Sequence, residues 1–291
     1  IHLNYPIVIF IVIAFFLPFF FNSGCASIYE YLEKRFGPTT RSVISIIFLI
    51  SQCLTSAAIL YATALVLEFI TGMPVVYAII IITLIALVYT IMGGLAAVIW
   101  TDVIQAFILL AGALIITVSL INNLNLPLGE TLELLKSQGK TNPLNFSFDV
   151  TEVSTVWTGV IAMTLFHITV YGANQMMVQR TLASKNIGDA KKSFLMMGYF
   201  AIFIYFLFFL LGILFYSYYG AREFDNGNTI ILEFASSLAI PGLMGIIAAA
   251  VIAASMSSLD SAFNSMSTVT TIDFYQKYAK PNASQEHYLL A

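Results

Sequence analysis

Pro74-Val75-Val76-Tyr77-Ala78-Ile79-Ile80-Ile81-Ile82-Thr83-Leu84-Ile85-Ala86-Leu87-Val88-Tyr89-Thr90-Ile91-Met92 runs for 19 residues without a charge. A bilayer core about 30 Å thick takes about 20 apolar residues of helix. Backbone groups in lipid must bond within their own segment, so the stretch reads as a membrane helix and not as a strand. Working outward, comparable runs lie near residues 5–21, 42–70, 95–122, 154–179, 193–219 and 239–271. Thr71-Gly72 and Gly93-Gly94 mark the short connections on either side of the quoted run. The expectation is an all-α membrane protein, one transmembrane domain over residues 1–291 with about seven spans.

Composition agrees: 59% of the 291 residues are hydrophobic, 9% are charged and the mean hydropathy is +0.91. A soluble domain carries roughly 25% charged residues. The lipid bilayer is therefore an implied partner. The net charge of −3, spread thinly, leaves no basic face for nucleic acid. Cys25 and Cys53 form no spaced set, so neither a disulfide framework nor a metal cluster is implied and they read as packing residues. The chain starts at Ile1 without the basic region of a signal peptide, and it reads as an internal piece of a longer protein.

Lysine and arginine set orientation in membrane proteins. Nine of the twelve fall on one side of a seven-span topology: Lys34, Arg35, Arg41, Arg180, Lys185, Lys191, Lys192, Lys277 and Lys280. Lys136, Lys140 and Arg222 lie on the other, among Glu130, Glu133, Asp149, Glu152, Glu223, Asp225 and Glu233. The first span therefore runs inward, the tail is cytoplasmic, and residues 123–153 and 220–238 are outer connections. Pro127, Gly139 and Pro143 punctuate the first connection, around an amphipathic helix near Leu128–Leu135. Asn145-Phe146-Ser147 is a glycosylation sequon on that side.

Ionisable groups inside a span are costly and mark function by default. Glu68 sits at the outer end of its span and can reach water, which leaves Asp102 and Asp260. Counted from the inner ends of their spans they lie roughly 10 and 16 Å deep at 1.5 Å per residue. Around Asp260 the sequence is Ala254-Ser255-Met256-Ser257-Ser258-Leu259-Asp260-Ser261-Ala262-Phe263-Asn264. Helical spacing puts Ala254, Ser257, Ser258 and Ser261 on one stripe, flanked by Asp260 and Asn264. Hydroxyl, carbonyl and carboxylate oxygens are hard ligands suited to an alkali cation, with sodium (Na+) the natural occupant. Small residues at this spacing also serve close helix packing, so the serines alone leave both readings open.

A second interruption is Phe166-His167-Ile168-Thr169-Val170-Tyr171-Gly172-Ala173-Asn174-Gln175, polar and glycine-bearing within an apolar run. Broken helices at mid-membrane are where transporters place substrate and ions. The plainer alternative is that Gly172 permits a tight crossing while His167 and Asn174 bond their neighbours.

The chain resembles the sodium/solute symporter family. The likeness is carried by Tyr29-Glu30-Tyr31-Leu32-Glu33-Lys34-Arg35-Phe36 and by Tyr89-Thr90-Ile91-Met92-Gly93-Gly94 running into Trp100-Thr101-Asp102-Val103-Ile104-Gln105. It continues in Asn174-Gln175 with Val178-Gln179-Arg180, in Ser257-Ser258-Leu259 with Phe263-Asn264-Ser265, and in Asp273-Phe274-Tyr275. The resemblance implies a five-plus-five inverted-repeat fold of which this chain holds the second to eighth core helices, without the first, ninth and tenth. It implies sodium-coupled uptake of a small-molecule substrate, with Ala254, Ser257 and Ser258 at the main sodium site. A second cation site would draw on Asp102, Asp260, Ser257 and Ser261. Relatives often have Ser, Thr or Ala where Asp260 stands. Tyr171, Asn174 and Gln175 fall at the substrate.

Sugar-carrying members share Asn174 but add a lysine in the next helix, and residues 193–221 contain none. Tyr171-Gly172 with Asn174-Gln175 and Gln179-Arg180 looks more like the vitamin, monocarboxylate and anion branch. A receptor reusing the fold without flux is the alternative in another class. An enzyme is not expected, since neither an HExxH nor a GxSxG pattern occurs. The expected location is the plasma membrane, as a multi-pass protein.

Overall fold

The computed structural model describes residues 4–290 apart from 26, 143, 150, 221 and 225, and for 97, 289 and 290 the backbone only. Ile1, Pro143 and Asp225, used above, lie outside the described residues.

The described residues form helices and turns without a strand. In chain order the helices are α1 Tyr5–Ser23, α2 Ile28–Phe36, α3 Pro38–Thr71, α4 Val75–Ala96, α5 Val98–Asn122, α6 Leu128–Ser137, α7 Thr158–Gly172, α8 Gln175–Leu182, α9 Ile187–Tyr219, α10 Ile230–Leu238, α11 Leu243–Ala279 and α12 Gln285–Leu290. Six of them, α1, α3, α4, α5, α9 and α11, are long and apolar enough to cross a membrane. The fifth expected span is instead the shorter apolar helix α7 followed by α8.

Local chemistry explains the boundaries. Pro38 opens α3 after Gly37 at φ 93°, and Gly72 at φ 71° closes it in a left-handed cap. Gly94, at φ 55° and ψ −153°, breaks one long apolar run into α4 and α5. Pro18 cannot donate to the carbonyl one turn back; ahead of it the helix widens, and Leu17 N–H bonds Val12 O across a π turn. The amphipathic helix expected near Leu128 is α6.

The chain divides into two compact units. The first joins Ile1–Tyr31 with Ser119–Ala221. In it Val8, Val12 and Leu17 of α1 bury against Ala190 and Phe194 of α9. Glycine permits two close approaches: a Cβ on Gly172 would lie 2.8 Å from the Phe16 ring, and one on Gly198 would lie 2.0 Å from Ile9 Cδ1. The tight crossing anticipated at Gly172 is present.

The second unit joins Leu32–Val118 with Arg222–Ala291. Here α3 and α11 run antiparallel, with Leu60 and Leu259 in a cluster shared with Ile82 of α4. Polar residues hold the same interface: Thr63 bonds Ser255, and Arg41 and Ser45 bond Asp273. Between helices already in lipid, burial of apolar surface adds little, so close packing and such bonds carry association. Gly112 of α5 lets Ala250 of α11 approach, since a Cβ there would meet Ala250 Cβ at 2.9 Å. Of the two cysteines, Cys25 is buried as expected for packing, whereas Cys53 is exposed.

Candidate ion and substrate sites

In the second unit, α11 carries the residues expected to hold cations. Ser258 is exposed, Ala254 and Ser257 are half-buried, and Asp260 and Ser261 are buried, with Asp260 fully so. Ser258 Oγ donates to Ala254 O at 3.4 Å and Ser261 Oγ donates to Ser257 O at 2.8 Å. With their protons turned onto the helix backbone, both hydroxyl oxygens present lone pairs outward.

Asp260 meets α4. Tyr89 donates its hydroxyl proton to Oδ2, and Thr90 Oγ1 lies 3.5 Å from Oδ1. Asp102 and Gln105 lie three residues apart on α5. Gln105 Oε1 is buried and has no partner among the described residues. The Asp260 carboxylate and the hydroxyls of α11 are the hard oxygen ligands that suit an alkali cation. The sequence reading quoted Tyr89 without assigning it a role.

A second charged group joins the start of α3, the end of α2 and the end of α11, whose residues the sequence reading had used only for the basic-residue count and the family likeness. Arg41 Nε and Nη2 donate to Asp273 Oδ1 at 2.8 and 2.5 Å, Nη1 donates to Glu33 Oε2 at 2.6 Å, and Ser45 Oγ donates to Asp273 Oδ2 at 3.1 Å. Lys277 closes the group by pairing with Glu33. Asp273 is 0% and Arg41 7% exposed. Glu33 lies outside the spans; the Lys277 ammonium first and the Arg41 guanidinium second hold its carboxyl below the usual carboxylate range. Glu68 is exposed, as its place at a helix end implied.

The broken helix lies in the first unit. Ala173 and Asn174 leave helical geometry, and Asn174 Oδ1 caps α8 by accepting Met176 N–H at 2.9 Å. Gln175 is fully buried; its Oε1 accepts Ile28 N–H at 3.0 Å, while Nε2 has no partner among the described residues. Tyr171 bonds Tyr5 at 2.8 Å, and Tyr5 bonds Tyr205 at 3.2 Å. His167 Nδ1 pairs with Asn4 Nδ2 at 2.8 Å. The three residues expected at the substrate therefore surround the break, and each also has a partner within the unit.

The profile of the sodium:solute symporter family matches residues 1–291. The chain is 30% identical over 98% of its length to a sodium/glucose cotransporter of Vibrio parahaemolyticus, covering 56% of that protein. It is 31% identical over 95% of its length to a sodium/sialic acid symporter of Aliivibrio fischeri, again covering 56% of the relative. A solved structure of a Na+-coupled sialic acid symporter, substrate-bound and outward-open and described as revealing a novel Na+ site, superposes with a TM-score of 0.88. Identity there is 29%, over 98% of this chain and 62% of that one. The chain thus spans about half the length of the curated relatives it matches. With six helices long and apolar enough to cross a membrane and a family profile that matches residues 1–291, the chain belongs to the sodium:solute symporter family.

Proposed function

We propose that the protein of which these helices form part carries a small organic solute or anion into the cell together with sodium, by alternating access. The observation that carries this reading is the set of oxygens on α11, where two outward hydroxyls stand beside a fully buried carboxylate on a membrane helix. Ala254, Ser257 and Ser258 bind the main sodium; Asp102, Asp260, Ser257 and Ser261 hold a second cation. Tyr171, Asn174 and Gln175 meet the substrate at the helix break, where Gln175 Nε2 still has a proton to donate. Helices of the inverted repeat outside the second to eighth complete both sites.

Sodium does the work in this scheme by binding one conformation more tightly than the other, so its inward gradient biases the cycle. Uptake into vesicles of a panel of sugars, sialic acid, vitamins and monocarboxylates, with sodium against choline outside, tests the function. Uptake of none of them alongside saturable sodium binding would favour the receptor alternative. Ser257→Ala and Ser258→Ala are each expected to raise the sodium concentration for half-maximal uptake about tenfold, near 1.4 kcal/mol, because each removes an oxygen from a site with few. Unchanged sodium dependence in both variants would return the serines to helix packing.

The lipid bilayer is the setting and nucleic acid is no partner. The nine-to-three division of basic residues puts the tail and the segment with Lys185, Lys191 and Lys192 in the cytoplasm. A cysteine at position 191 is expected to resist an impermeant thiol reagent applied to intact cells, while one at 130 reacts. Labelling at 191 from outside would reverse the topology.

A further inference from the structure

Within the second unit, α11 is bonded to its neighbours on two different faces. On one, Ser255 bonds Thr63 of α3, and Leu259, one turn on, clusters with Leu60. On the other, Asp260 accepts the hydroxyl proton of Tyr89 on α4. At 3.6 residues per turn, Ser255 and Asp260 point about 140° apart around the helix axis. Ala254, Ser257, Ser258 and Ser261 take the remaining side, centred about 110° from each of them. A single contact lets a helix roll about its axis, whereas two on separate faces fix the direction in which the third side looks.

The Thr63–Ser255 bond is not needed to satisfy either group. Thr63 Oγ1 lies 2.9 Å from Ile59 O, and Ser255 Oγ lies 3.1 Å from Val251 O, so each hydroxyl has an acceptor in its own helix. Both residues are buried, Thr63 at 2% and Ser255 at 6% exposure. What the bond across the interface adds is placement: it ties α11 to α3 two residues before Ser257. We infer that Thr63 and Ser255 are positioning residues for the main sodium site, holding α11 in the rotation that presents Ala254, Ser257 and Ser258 to the ion. The inference rests on the main sodium site proposed above and adds two residues that touch no ion. Without the bond α11 rolls among several rotations, and apparent sodium affinity falls with the fraction of time spent in the competent one.

The test is binding of radioactive sodium to the purified full-length protein, with the melting temperature in choline chloride measured alongside. Thr63→Val keeps the shape of the side chain and leaves the Ser255 hydroxyl its own carbonyl, so no buried polar group is orphaned. It should raise the sodium concentration for half-saturation about threefold to tenfold, the range that one bond between membrane helices can supply. Ser255→Ala should do the same, the double variant no more than either alone, and Thr63→Ser should restore the parental value. Should Thr63→Val not fold, Ser255→Ala breaks the same bond from the other helix. A lower melting temperature with parental sodium binding in both single variants, while Ser258→Ala weakens binding, would overturn the positioning role and leave the sodium site standing. Losses that add in the double variant would also overturn it, since the two hydroxyls would then act separately. If Ser258→Ala binds sodium as the parent does, the sodium-site reading itself fails.

Discussion

Asp273→Ala is expected to cost the folded protein about 3–5 kcal/mol, because it leaves the Arg41 guanidinium buried without its closest counter-charge. Asp273 is fully buried and takes two bonds from Arg41 and one from Ser45. Desolvating both charges is already compensated by that geometry, so removing one partner exposes the whole penalty for the other. The double variant Arg41→Met with Asp273→Leu should recover most of the loss, since an apolar pair of similar volume is often neutral or better than a buried ion pair. Thermal unfolding in detergent measures both. A single variant within about 1 kcal/mol of the parent, the value of an exposed pair, would show that the network is open to water.

Glu33 gives the same network a dependence on pH. Its carboxyl is lowered by Lys277 first and Arg41 second. A group with a depressed folded-state value contributes stability above its unfolded pKa, about 4.3 for glutamate, and loses it as the pH falls through the folded value. Acid should therefore loosen the C-terminal end of α11 before it unfolds the helices, and Lys277→Met should flatten that limb of the profile.

Hydropathy made the spans legible because lipid imposes a length and a composition on each, and Gly93-Gly94 showed where one apolar run had to turn. The fifth span was harder. A mean over residues 154–179 cannot show that Asn174 withdraws its side chain to cap a new helix, which shortens α7 to a segment below membrane-spanning length. Asp260 stood out because an acid in a span has no cheap alternative explanation. Arg41 and Asp273 did not, since 232 residues separate them and each lies near a span end where a charge can reach water. Tyr89 was hidden for a different reason: tyrosine is common near membrane interfaces, and its hydroxyl becomes informative only when α11 is placed against α4.

Asp260→Asn is expected to remove a cation from the transport cycle. The substitution keeps the shape and one acceptor oxygen for Tyr89 or Thr90, so the α4–α11 contact should survive, but it deletes a full charge at a site with no exposure to water. A unit charge 4 Å from a cation is worth about 4 kcal/mol at an effective dielectric constant of 20, which lowers affinity by a factor on the order of a hundred to a thousand. At working sodium concentrations that site would then stand empty. The sodium dependence of uptake should fall from a slope near two to a slope near one, with the Ser258 site still filling at its parental concentration. Asp102→Asn should do the same, and the two substitutions together should do little more than either alone, because both act on one ion. Additive losses would mean that the carboxylates serve separate purposes. A parental slope in Asp260→Asn would leave Asp260 as the polar joint between α4 and α11, held by Tyr89 and carrying no ion.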